Sequence, residues 1–179
     1  GFLSILSRFL PLTAVQIMLT NVMTDLPMVF IHEDNVDAEA VRKPLTLDMK
    51  GLTILLVALG FLGGLSDVFL FSFVQNEPAA LVQTALFLET TLGGLLIFYS
   101  IRTDKFFWQS RPGRMYNLIT LAGIGLAFIL TMTALGGIFG FVPLPLQLAG
   151  FILVFNLIVL VVTDIAKKII LHFLKGTEH

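Results

Sequence analysis

The chain has 179 residues, 56% of them hydrophobic and 13% charged, with a net charge of −1 and a mean hydropathy of +0.94. Soluble domains carry about 25% charged residues, so this composition excludes one, and the near-neutral balance gives nucleic acid no basic surface to hold. Cysteine is absent, which excludes disulfides and thiolate metal sites.

The apolar residues fall in blocks. Residues 2–10 form a short one, covering about half of a hydrocarbon core at 1.5 Å per helical residue, and Pro11 ends it. This segment lacks a basic start and carries Arg8 within its apolar run, so it does not read as a signal peptide. Five longer blocks follow, at residues 12–31, 51–74, 81–101, 116–139 and 144–170. Each is long enough to cross a core of about 30 Å as a helix, the form in which a backbone satisfies its own hydrogen bonds in lipid. The short alternating strands of a membrane β-barrel are missing. The expected fold is therefore all-α, a polytopic transmembrane helical bundle of six segments with the first truncated, forming one membrane domain over residues 1–179.

The basic residues give the sidedness. Arg42, Lys43 and Lys50 lie in the first long loop, residues 32–50, and Arg102, Lys105, Arg111 and Arg114 lie in the second, residues 102–115. Lys167, Lys168 and Lys175 close the last span. With a half-span counted first, all three groups fall on one face, which the positive-inside rule assigns to the cytoplasm. Residues 75–80 and 140–143, on the other face, carry no Lys or Arg. Phe107 and Trp108 sit beside Lys105 and Arg111 as interfacial anchors. Gly60 and Gly64, and Gly136 and Gly140, are spaced four apart, as in close helix crossings.

Ionisable groups inside a span are costly and mark candidate functional sites. Asn21 and Asp25 are four apart, hence on one helical face, with Thr24 adjacent. Pro27 removes a backbone donor and frees the carbonyl of Met23. A carboxylate, an amide oxygen and freed carbonyls suit a hard cation such as Mg²⁺, Ca²⁺ or Na⁺, or a proton, and a broken helix near the midplane is a common setting for such a site. The competing reading has Asp25 protonated, or paired with Arg8, as a helix–helix contact. Glu89, near the middle of its span, is a further candidate ligand, against the alternative of an interhelical hydrogen bond. Asp67 is expected toward the outer interface in a structural role. Asn156 is expected as a polar helix contact, and Asp164 as an i,i+4 ion pair with Lys168. The acidic stretch 32–37 lacks the spacing of a calcium loop and reads as a solvated loop. No phosphate loop, zinc spacing or nucleophile motif is present, so nothing supports catalysis by this chain alone, and no organic cofactor is expected.

Residues 12–44 resemble the sixth membrane helix of the cation-transporting P-type ATPases. That helix carries an N-x-x-x-D core, here Asn21 and Asp25, preceded by a proline and a glutamine, here Pro11 and Gln16. The tail Asp34-Asn35-Val36-Asp37, followed by Arg42-Lys43-Pro44, is most similar to the bacterial magnesium-transporting branch. Phe87-Leu88-Glu89, Ile101-Arg102-Thr103 and Ser110-Arg111-Pro112 resemble the eighth helix of that branch and its exit. The resemblance makes the chain the second half of helix five through helix ten. It implies Asn21 and Asp25 as cation ligands, with Thr24 weaker and Glu89 auxiliary or proton-linked, and Mg²⁺ (or Ca²⁺ or H⁺) as the transported ion. It also implies the lipid bilayer, the remaining N-terminal helices and the cytoplasmic domains of a parent pump as partners, in a bacterial or archaeal plasma membrane. The phosphorylation motif D-K-T-G-T is not in this chain, so ATP hydrolysis is expected of the parent only. The rival expectation is a membrane subunit or stand-alone bundle without a transport role.

Overall fold

Five α-helices and two short 3₁₀ turns account for most of the computed structural model, which describes residues 12–29, 49–103 and 105–176, with side chains omitted at 49–52 and 173–176. The helices are α1 (Ala14–Val29), α2 (Met49–Val74), α3 (Ala79–Ile101), α4 (Arg114–Met132) and α5 (Leu146–Gly176). The 3₁₀ turns cover Phe107–Gln109 and Ala134–Phe139. Four stretches, Thr53–Val74, Ala79–Ile101, Arg114–Met132 and Leu146–His172, are long and apolar enough to cross a membrane. The described residues are helical, with no strand among them, and the chain is an integral membrane protein. The apolar block at 2–10 and most of the basic loop at 32–50 lie outside the described residues, as do Arg8 and the acidic stretch 32–37.

The expected span at 116–139 is shorter at its far end. Helix α4 stops at Met132, because Thr133 turns to an extended backbone and its hydroxyl accepts from the Leu135 N–H. Gly140 closes the following 3₁₀ turn at φ +76°, a left-handed conformation open to glycine. Gly136 packs so tightly that a Cβ would come 1.8 Å from the Leu130 carbonyl oxygen. These two glycines therefore build a turn and not the helix crossing their spacing suggests. Gly60 and Gly64 make no crossing either: a Cβ at each would meet nothing within 4 Å among the described residues. The close crossings are made by Gly94, whose added Cβ would lie 2.6 Å from Thr24 Cγ2, and by Gly123, 3.2 Å from Leu95 Cδ1.

Helix α3 sits at the centre. It has apolar residues on every side, as a helix does that packs against neighbours all round, and it touches α1, α2, α4 and α5. Val82, Ala85, Phe87, Leu88, Leu92 and Leu95 are wholly buried. The outer helices turn large apolar residues outward, among them Phe61, Leu118 and Val154, as lipid- or helix-facing surfaces do. A ladder of Phe69, Phe73, Phe151 and Phe155 fills the seam between α2 and α5, with Phe69 and Phe155 stacked at 5.1 Å.

Two polar belts define the ends. At one, Gln16 of α1 donates to the Phe139 carbonyl, and Thr84 of α3 accepts from the Val142 N–H. At the other, Lys167 of α5 reaches the loop after α3, and Arg102 donates to the Ser110 carbonyl. The basic residues of the α3–α4 loop and of the end of α5 thus share one face. Phe106 and Trp108 stack there at 4.6 Å, and Lys168 lies 5.0 Å over the Phe106 ring.

Candidate transmembrane cation site

Helix α1 begins with a reciprocal cap. The Thr13 hydroxyl accepts from the Gln16 N–H at 3.3 Å, and the Gln16 side-chain oxygen accepts from the Thr13 N–H at 3.0 Å. From there, Gln16, Thr20, Met23 and Pro27 form the buried face, at spacings of four, three and four. Asn21 and Asp25 are both exposed and lie together on the opposite side of the helix. Thr24 is half-buried between the two faces and donates its hydroxyl to the carbonyls of Thr20 and Asn21. The spacing argument therefore holds for Asn21 and Asp25, which share a face with a carboxylate and an amide available to a ligand.

Two parts of the sequence expectation come out differently. The helix is continuous through Pro27 to Val29 and is not broken. Pro27 is on the buried face, and the carbonyl it frees, that of Met23, lies close to α4, 3.9 Å from where a Gly123 Cβ would be. Met23 is thus on the packed side of α1, whereas Asp25 is on the exposed side. Among the described residues, no three acidic or histidine side chains converge closely enough to hold a metal ion.

Glu89 belongs to a different part of the bundle. It is 1% exposed, accepts from Ser66 Oγ of α2 at 2.8 Å, and lies 3.5 Å from the Thr90 hydroxyl. Thr90 also donates to Asp67 Oδ1 at 3.2 Å. The face of α3 that meets α1 carries Thr91, 3.5 Å from the Thr20 hydroxyl, and Gly94. Thr91 is two residues, about 200°, around the helix from Glu89. Glu89 is accordingly directed at α2 and is not brought to Asn21 and Asp25. Asp67, expected at the outer interface, instead stands beside Glu89 near the middle of α3, because the register of α2 against α3 is set by the Ser66–Glu89 and Asp67–Thr90 contacts.

Asp164 and Lys168 do not pair. Asp164 is bound by Lys167, three residues on, at 2.6 Å, and both are buried. Asp164 also accepts from Ser100 Oγ at 2.7 Å and from the Phe107 N–H at 2.9 Å. Asn156 is buried with its Nδ2 on the Ile152 carbonyl of its own helix, while its Oδ1 has no partner among the described residues. Lys167 and the open amide oxygen of Asn156 carry no motif. The only signal for either was a polar residue in an apolar stretch.

The sequence of residues 9–169, which includes the N-x-x-x-D helix, matches a family model described as "Cation transporting ATPase, C-terminus". The chain belongs to that family. It is 30% identical over 147 residues, 78% of its length, to "Magnesium-transporting ATPase, P-type 1" of Salmonella typhimurium. A protein of Methanocaldococcus jannaschii named as a cation-transporting ATPase is 29% identical over 170 residues, 92% of the chain. The chain spans 16% and 20% of these two relatives, so it corresponds to a minor part of their length. Membership in this P-type ATPase C-terminal family accounts for the apolar composition, the all-helical fold and the N-x-x-x-D helix together.

Proposed function

We propose that this chain forms part of the transmembrane cation pathway of an ATP-driven P-type pump, with Mg²⁺ as the transported ion. Asn21 and Asp25 supply ligands from α1, and Thr24 is a weaker third. Glu89 serves as an auxiliary or proton-linked group from α3, apart from the Asn21–Asp25 ligands. The parent pump's N-terminal helices and cytoplasmic domains would supply the remaining ligands and the ATP chemistry. The pump would reside in a bacterial or archaeal plasma membrane, with the basic face of the bundle cytoplasmic.

The observation that carries the proposal is the orientation of Asn21 and Asp25. A carboxylate and an amide on a membrane helix are costly when they face lipid. Here they occupy the face of α1 that the described bundle leaves open, while the opposite face is packed. A partner helix and a cation on that side would remove the cost. Oxygen-only ligands suit Mg²⁺, which is bound by one or two carboxylates and keeps several waters. The likeness to a relative named as magnesium-transporting adds to the choice of ion.

The test is Mg²⁺ transport by the parent pump carrying Asp25→Asn. Transport should become undetectable or require much higher Mg²⁺, with helix content unchanged by circular dichroism. Transport at the unmodified level would remove Asp25 from the pathway and the proposal with it.

A further inference from the structure

We propose that Asp67, Glu89 and the amide oxygen of Asn156 form a second cation site, between α2, α3 and α5, that takes a partly hydrated divalent cation. These residues line a cavity of about 220 Å³ that also exposes Ser66 and Thr90. Asn156 is 2% exposed and its Oδ1 has no hydrogen-bond partner among the described residues. A buried amide oxygen left open in this way loses on the order of 1–3 kcal/mol unless something fills the space before it. Gly93 makes the room: a Cβ there would stand 3.1 Å from that oxygen. Gly60 and Gly63, also in the lining, leave the far wall open, with nothing within 4 Å of where their Cβ atoms would be.

Charge selects the ligand. Asp67 and Glu89 are bridged by the Thr90 hydroxyl, and among the described residues no Lys, Arg or His lines the cavity. Two carboxyl groups this close in a medium of low dielectric cannot both be charged without a cation between them. A divalent ion compensates both at once, where one proton compensates one. Two carboxylates with neutral oxygens and water are the set that Mg²⁺ accepts, and at about 30 Å³ per water the cavity holds several waters besides the ion. This site is separate from Asn21 and Asp25, since Glu89 faces away from α1. Its existence does not depend on theirs.

The test is Mn²⁺ binding to the purified full chain in detergent, read by electron paramagnetic resonance, with Mg²⁺ as competitor in mildly alkaline buffer. Asn21→Ala/Asp25→Ala should keep a bound Mn²⁺ that Mg²⁺ displaces. Asp67→Asn/Glu89→Gln should lose it, and Asn156→Leu should weaken it about tenfold, a difference of about 1.4 kcal/mol, with helix content unchanged. Should the double carboxyl variant misfold, Asn156→Leu decides. Binding untouched by Asn156→Leu and by Asp67→Asn/Glu89→Gln overturns the second site. Complete loss in Asn21→Ala/Asp25→Ala does the same while supporting the α1 site, so the two proposals fail separately.

Discussion

The Lys167 ammonium lies 2.6 Å from Asp164 Oδ1, one turn earlier on α5, and the same ammonium also reaches the carbonyls of Ser100, Thr103 and Lys105 at 2.6–2.9 Å. Those carbonyls lie at the C-terminal end of α3 and in the loop beyond it, where the helix leaves acceptors unsatisfied and the dipole favours a cation. A single buried ion pair thus closes the end of the central helix and fastens the basic loop to α5. Removing one partner of such a pair strands the other and costs about 3–5 kcal/mol. Lys167→Met should therefore lower the denaturation midpoint of the purified protein sharply. Lys168→Ala, whose charge rests over the Phe106 ring, should cost about 1 kcal/mol or less. Equal effects of the two changes would refute the assignment.

The crossing of α1 and α3 rests on the absence of a side chain at Gly94. A Cβ added there would be 2.6 Å from Thr24 Cγ2, and the β-branched threonine is stiff at χ1. Gly94→Ala should cost about 1–3 kcal/mol as an overpacked contact. Thr24→Ser, which removes the methyl and keeps the hydroxyl, should restore most of that loss in the double variant. Thermal unfolding of the four proteins of the cycle measures it, and simple additivity of the two changes would remove the contact from the account.

The fold was legible because run length is a strong signal: blocks of about twenty apolar residues admit few forms in lipid. The N-x-x-x-D spacing likewise placed Asn21 and Asp25 on one face without further help. What spacing cannot say is which face is packed. The buried side of α1 is itself polar at Gln16 and Thr20, so hydropathy does not separate it from the side of Asp25. Lys167 and Lys168 are both within reach of Asp164 on a helix. The loop carbonyls choose Lys167, and they come from residues more than sixty positions away. Asp67 and Glu89 are brought together by the register of two helices, which no local pattern encodes.

Glycines four apart are a further case in which spacing and structure part, and they separate experimentally. Gly140 has φ +76°, so Gly140→Ala should destabilise by about 1 kcal/mol or more, the cost of a left-handed backbone for an L-residue. Gly60 lies within a regular helix with open space around it, and Gly60→Ala should be neutral or gain up to about 1 kcal/mol from propensity. Chemical denaturation of both variants distinguishes a turn glycine from a helix glycine that makes no close contact. A marked loss at Gly60 would mean that it supports a contact after all.

The cap of α1 links the start of the proposed ion-binding helix to the turn after α4. Thr13 and Gln16 satisfy each other's backbone N–H groups, and the Gln16 amide additionally donates to the Phe139 carbonyl at 3.2 Å. Thr13→Ala removes one capping acceptor and should cost about 1 kcal/mol, as such caps do. Gln16→Leu removes the other capping acceptor and also leaves the Phe139 carbonyl without its side-chain donor, so its cost should be larger, about 2–3 kcal/mol. The two changes should also differ in kind. Gln16→Leu frees the 3₁₀ turn from α1, so amide exchange at Phe141, whose N–H is held by the Gly136 carbonyl within that turn, should accelerate. Thr13→Ala should leave that exchange unchanged. Acceleration in both variants, or in neither, would show that Gln16 does not tie the helix to the turn.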